Sequence, residues 1–206
     1  RFRGAADMGV AANNDVRAVR WRADDGALIA GGRYNAGGKA PFLLFDRDGK
    51  PLPTPPALAT STIMSFQACK DGFAVATADP AVGLLDRNGG RMMWKAGVAP
   101  EMRVKLGEYF VVGADGKQVR FGLGYGGADP VLFDLARATL TESPSAPAGL
   151  AMPRIEGLAI KDWLYKYKPS FAGKPIALNQ SERSRSLAIR PDGKGFALGT
   201  EFRLRG

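Results

Sequence analysis

The residues able to do chemistry are few, and what is missing decides more than what is present. The 206-residue chain contains no His and one Cys. Without imidazole there is no His general base, none of the commonest metal ligand, and no Ser-His or Cys-His nucleophile pair. Cys69 alone can form neither an internal disulfide nor a thiolate metal cage. Within Phe66-Gln-Ala-Cys-Lys-Asp-Gly72 it reads as a small buried strand residue. A lone Cys leaves the compartment open between cytoplasm and periplasm. Asp46-Arg-Asp-Gly49 and Asp86-Arg-Asn-Gly89 begin like calcium loops, but neither supplies the further oxygens and late Glu that such a loop needs, so both read as turns. Gly122-Leu-Gly-Tyr-Gly-Gly127 has the glycine density of a phosphate loop, yet it lies between strands with no helix N-terminus to hold an anion. No catalytic residue, metal ligand set or cofactor site is therefore assigned, and no cofactor is expected.

What remains is recognition chemistry. Trp163, Tyr165 and Tyr167 stand beside Pro169 in an irregular stretch, where a rigid aromatic cluster on a long loop can dock a partner. Arg183 and Arg185 follow closely and complete the candidate partner-binding set. The charge balance, 29 Lys and Arg against 20 Asp and Glu, gives a net +9. Arginines gather at Arg17, Arg20 and Arg22 and again at Arg183, Arg185, Arg190, Arg203 and Arg205. Strand alternation sets Arg17 and Arg20 on opposite faces, so no single basic stripe results. Exposed Arg and Lys also deter edge pairing, and the sequence favours a protein partner over nucleic acid.

The elements that must position these residues are short strands. The 27 Gly and 14 Pro are spread along the whole chain, which suits many strands joined by tight turns and not long helices. No stretch approaches the roughly 20 apolar residues of a membrane span. Four paired apolar runs are hinged on Asp-Gly: Val16–Trp21 with Ala27–Gly31, Thr62–Phe66 with Phe73–Thr77, Tyr109–Val112 with Val119–Leu123, and Ser186–Ile189 with Phe196–Gly199. The turns at Asp25, Asp71 and Asp115 recur about 45 residues apart, and Asp192 follows after nearly a double step. Further apolar runs end at Asp46, Asp86 and Asp134, and Arg91–Trp94 adds a fourth strand to the second unit. A period near 45 with four antiparallel strands per unit is that of a β-propeller blade.

The strand order and period resemble bacterial WD40-like propellers, and Leu85–Trp94, with Asp86, Gly90 and Trp94, resembles the turn of quinoprotein-type blades. Over the last fifty or so residues, Leu158–Trp163, Gly173–Leu178, Glu182–Gly193 and Leu198–Arg205 resemble the WD40 region of bacterial caspase-like (peptidase C14) proteins. The resemblance implies a partner-binding propeller that accompanies a Cys-His protease domain. None of that protease motif is in this chain, and the Gly-His and Trp-Asp signatures that supply the hydrogen-bonded network of eukaryotic WD40 blades are also missing.

The expected fold is all-β, a WD40-like β-propeller fragment of about four to five four-stranded antiparallel blades. Residues 1–206 form one propeller segment, with blades near 14–60, 61–100 and 101–142, an irregular unit at 150–180, and an incomplete one at 184–206. Both ends, Arg1-Phe-Arg3 and Phe202-Arg-Leu-Arg205, are expected to interrupt a blade, and such a fragment should leave two apolar sheet faces bare and be marginal or self-associating. The expected function is a non-enzymatic interaction scaffold or sensor, whose partner is a protein or an effector domain of the same chain. An enzyme propeller, quinoprotein-like dehydrogenase or hydrolase, with a channel-facing site is the alternative.

Overall fold

The computed structural model describes residues 5–7, 15–22, 24–33, 40, 42–53, 59–101, 110–113, 115–142, 160–190, 192–201 and 203–205. The turn composition at Ser143–Pro147, Tyr109, Leu158, Arg1–Arg3 and Phe202 lie outside them. Nineteen strands form five antiparallel sheets among the described residues. Strand β1 (Ala5–Asp7) opens the chain. The first sheet is β2 (Asp15–Trp21), β3 (Leu28–Arg33), β4 (Phe42–Phe45) and β5 (Pro51–Leu52). The second is β6 (Ile63–Cys69), β7 (Gly72–Thr77), β8 (Ala81–Asp86) and β9 (Arg91–Ala96). The third is β10 (Val111–Val112), β11 (Gln118–Leu123), β12 (Asp129–Asp134) and β13 (Thr139–Glu142). A fourth, irregular sheet holds β14 (Ile160–Lys161), β15 (Ser170–Phe171) and β16 (Lys174–Pro175). The fifth holds β17 (Ser184–Ile189), β18 (Phe196–Thr200) and β19 (Arg203–Arg205). Its fourth strand is β1, paired antiparallel so that Ala5 faces Arg205 and Asp7 faces Arg203. The two end segments thus share one sheet.

The last strands of the first three sheets are the exposed ones, with β5 and β13 exposed throughout. In the second sheet β7 is buried throughout, β8 mostly, and β9 is exposed or half-buried. First strands neighbour one another, β2 against β17 and β6, and β6 against β10. Apolar clusters fill the spaces between sheets. Ile29, Phe42, Phe66 and Phe73 join the first and second sheets, and Val82, Phe110, Phe121 and Phe133 join the second and third. Val16, Val19 and Leu28 meet Ala188, Ala197 and Leu204, so the fifth sheet covers the face of the first that a cut fragment would leave bare. The Trp21 indole N–H donates to the Ala188 carbonyl at 3.3 Å, and Ser186 Oγ donates to the Val16 carbonyl at 2.6 Å across the same boundary.

The two calcium-like stretches are turns. Asp46 Oδ1 accepts from the Asp48 and Lys50 amides, both at 2.9 Å, and Asp86 Oδ1 from the Asn88 and Gly90 amides, both at 2.8 Å. In each turn, one carboxylate oxygen is committed to backbone donors.

Candidate functional site

The first strands share one irregularity. Between Asp15 and Ala18, between Ile63 and Ser65, and between Ser184 and Ser186 the pairing slips by one residue, a β-bulge near the start of β2, β6 and β17. A bulge breaks the alternation and re-aims side chains. The slips fall at Arg17, Met64 and Arg185, all half-buried, and Arg17 Nη1 touches Met64 Sδ at 3.9 Å between adjacent sheets.

On β17 the bulge places Arg183 opposite Glu201. The Arg183 amide donates to Glu201 Oε2 at 3.1 Å, its guanidinium pairs with Oε1 at 2.7 Å, and Arg185 donates to the same oxygen. One carboxylate thereby aligns two guanidinium groups. Burial pushes the Glu201 carboxyl up, but the hydrogen bond from Arg183 and the charges of Arg185 and Arg183 outweigh it and hold the carboxyl below its ordinary value.

Two exposed tyrosines lie against these guanidinium groups. Arg183 lies 5.6 Å from the centre of the Tyr167 ring and Arg185 lies 4.7 Å from that of Tyr165. The aromatic segment is fastened to the start of β17: the Tyr165 amide donates to the Ser184 carbonyl at 3.0 Å and the Ser184 amide to the Lys166 carbonyl at 2.9 Å. Ser184 Oγ donates to the Trp163 and Lys166 carbonyls. Backbone strain collects in the same region: Asp162, Tyr165, Ala172 and Ser181 are four of the five non-glycine residues with positive φ among the described residues. A left-handed residue with a Cβ costs roughly 1–2 kcal/mol and persists only where its surroundings hold it.

Of the five residues assigned to recognition, the structure therefore brings four together. Trp163 lies beneath them: it is half-buried and packs with Ile176, Leu187 and Leu198 between the fourth and fifth sheets. In the same segment Lys161, Leu164, Lys166, Lys168, Phe171 and Lys174 are exposed, basic and apolar side chains that the sequence reading did not single out. Glu201, which aligns the two guanidinium groups, was also missed. The hairpin register counted back from the Asp192-Gly193 turn would put Ser184 across from Glu201, and only the bulge shifts Arg183 there.

Most arginines of the two sequence clusters are paired locally. Arg22 bonds Asp25 and Asp24, Arg190 bonds Asp192, and Arg205 bonds Glu182. Asp25 is held at about 2, first by the Arg22 hydrogen bond. Glu182, fully buried, accepts from Arg205 Nε at 3.0 Å, from Arg205 Nη2, from Thr200 Oγ1 and from the Asn179 amide at 2.8 Å. This cluster ties the approach to β17 to the second and third strands of its own sheet. Cys69 is buried, and burial pushes its thiol up, which is the environment of an inert core cysteine. No helix of the described residues is long and apolar enough to cross a membrane.

The sheets and their order, with first strands set side by side, make this chain an all-β segment of β-propeller architecture. No family model matches the sequence, and no curated protein matches it. Among solved structures it is similar to the β-propeller domain of Cps50 (Swd1) from Myceliophteria thermophila, at 12% identity and a TM-score of 0.46, covering 96% of this chain and 51% of that one. It is also similar to a chain of a Mitotic Checkpoint Complex, at 14% identity and a TM-score of 0.45, covering 92% and 49%. The chain spans about half the length of those chains. At this level of likeness neither carries an argument, and the assignment rests on the sheets themselves.

Proposed function

We propose that this chain is a non-enzymatic scaffold that binds a protein partner through the surface formed by Tyr165, Tyr167, Arg183 and Arg185, and that the bound segment of the partner is acidic. The observation that carries this reading is the pair of exposed tyrosines laid on guanidinium groups and fastened to β17. Aromatic and arginine side chains held in place before binding lose little entropy on binding and act as anchors. Among described residues 160–181, the exposed Lys161, Lys166, Lys168 and Lys174 stand against one acidic residue, Asp162, and favour acidic groups. The resemblance of residues 158–205 to propellers accompanying caspase-like peptidases makes an effector domain of that type the first partner to try.

The test is a displayed-peptide selection on the wild-type chain, with the double variant Tyr165→Ala/Tyr167→Ala as counter-selection. Acidic sequences that contain an aromatic residue and lose about tenfold or more in affinity on the variant are expected. Selected sequences that bind both proteins equally would refute the assignment.

A further inference from the structure

The outer strand of a sheet leaves one row of backbone N–H and C=O groups unpaired, and such an edge recruits another strand unless something blunts it. Four of the five outer edges are blunted. β5 and β16 are two residues long and contain Pro51 and Pro175, which have no N–H to offer. β9 carries Arg91 and Lys95, its pairing with β8 skips Met92 in a bulge, and the Arg91 guanidinium lies over the Trp94 ring at 4.3 Å. β1 is three residues long and ends in Asp7. The exception is β13. Thr139-Leu-Thr-Glu142 pairs with β12 in unbroken register, from Thr139 opposite Asp134 to Glu142 opposite Val131. It contains no Pro, Lys or Arg, and every residue of it is exposed. Among the described residues no strand pairs with its outer side. Thr139 and Thr141 are β-branched and suit an extended chain, and Leu140, 40% exposed, is one of the few large apolar side chains that face solvent.

The edge is complementary to itself. With a second copy of β13 laid antiparallel and the two-fold axis at Leu140, each Leu140 meets its counterpart and each Thr139 meets a Thr141. Each Glu142 then falls opposite Ala138 of the second copy, beside the turn that carries Arg137. Apolar, Thr–Thr and opposite-charge neighbours across strands all favour pairing. The Arg137 side chain is 80% exposed and its own Asp134 lies 3.5 Å away, so the guanidinium can engage a second carboxylate. A two-fold contact of this kind closes on itself and uses the same four residues of both chains.

We infer that β13 is a self-association edge: two copies of this chain join by antiparallel pairing of residues 139–142, which makes the two third sheets continuous. A four-residue edge buries little area, so the dimer is weak and reversible. The edge belongs to a different sheet from the tyrosine surface and does not rest on the function proposed above.

The experiment is sedimentation velocity of the whole chain from about 10 μM to about 1 mM, the range in which a weak dimer forms. The average mass should climb with concentration from that of one chain toward that of two. Leu140→Lys gives β13 the kind of charge that β9 carries, and should hold the chain at the monomer mass with Tm unchanged. Arg137→Glu should weaken association several-fold, and Arg137→Glu/Glu142→Arg should restore it, because exchanging both charges keeps the contact complementary. Met92→Lys on β9 and Tyr165→Ala/Tyr167→Ala should leave association as it is. A wild-type chain that stays monomeric at every concentration overturns the inference without recourse to a variant. So does association that persists in Leu140→Lys, or that the tyrosine variant abolishes, since the copies would then meet through another surface.

Discussion

Glu182→Gln separates a buried ion pair from ordinary polar packing. Glu182 is fully buried and the side chain of Arg205 is 8% exposed. The substitution keeps shape and one acceptor oxygen but removes the charge, and it places an amide N–H2 where Arg205 Nη2 and the Asn179 amide now donate to Oε2. Removing one partner of a buried pair costs about 3–5 kcal/mol. The lower end applies, about 3 kcal/mol, because Arg205 keeps a narrow path to water. For a chain of this length that corresponds to a fall in Tm of roughly 10 °C. The assay is urea unfolding of both proteins, read as a change of midpoint at unchanged slope, repeated as a function of pH. Burial pushes the Glu182 carboxyl up, but hydrogen bonds from Arg205, Thr200 and the Asn179 amide hold it below its ordinary 4.5 in the folded state. Its contribution is therefore complete above the unfolded value and is lost as pH falls from about 4.5 through the lower folded value. The wild type should lose stability in that window more steeply than the variant. Glu182→Leu/Arg205→Met should recover most of the loss, since a packed apolar pair is often as stable as a buried ionic one. A loss below about 1 kcal/mol, or parallel pH profiles, would refute the argument that this pair organises the approach to β17.

Two further substitutions test the packing. Phe121→Ala removes a fully buried ring that stacks 6.1 Å from Phe110 and 6.4 Å from Phe133, and should cost about 3–5 kcal/mol by thermal or denaturant unfolding. Gly49→Ala and Gly89→Ala form a matched pair at φ +83° and +82°: a Cβ at Gly49 meets nothing within 4 Å, whereas at Gly89 it would lie 2.4 Å from the Phe42 ring. The first should cost only the left-handed strain, roughly 1–2 kcal/mol, and the second clearly more. Equal losses would mean that the turn following β8 yields without disturbing Phe42.

The hairpins were legible because the information is local. Asp-Gly turns fix where a strand reverses, and the apolar runs on either side determine what is buried, so β6 with β7 and β17 with β18 follow from reading along the chain. Tyr165, Tyr167, Arg183 and Arg185 could be singled out by residue type, but their contacts with one another could not. Their assembly depends on a one-residue slip at Arg185, and nothing in Glu182-Arg-Ser-Arg-Ser186 distinguishes a bulged strand from a regular one. The half-burial of Trp163 was not legible for a related reason: its type does not say which side of a loop meets the neighbouring sheet, where it packs with Ile176 and Leu198. The pairing of β1 with β19 joins opposite ends of the sequence, where no periodicity reaches. The fifth sheet covering the first is equally non-local, and the packing of Val16, Val19 and Leu28 on Ala188, Ala197 and Leu204 could not be read along the chain.

The fourth sheet depends on the fifth for its order, and the hydrogen bonds between them explain how. The strands of the fourth sheet are two residues long and cannot hold their own conformation by pairing alone. What holds the aromatic segment is the fifth sheet, through Ser184 and the carbonyls of Trp163 and Lys166. Ser184 in turn begins two residues after Glu182, whose buried pair with Arg205 secures the same stretch from inside. The strained backbone at Tyr165 is tolerated because β17 is fixed on one side by this ion pair and on the other by the Ser186 bond to Val16. A surface with little regular structure of its own can therefore still be held in place, and on the function proposed above that lowers the entropy two tyrosines and two arginines would lose on binding.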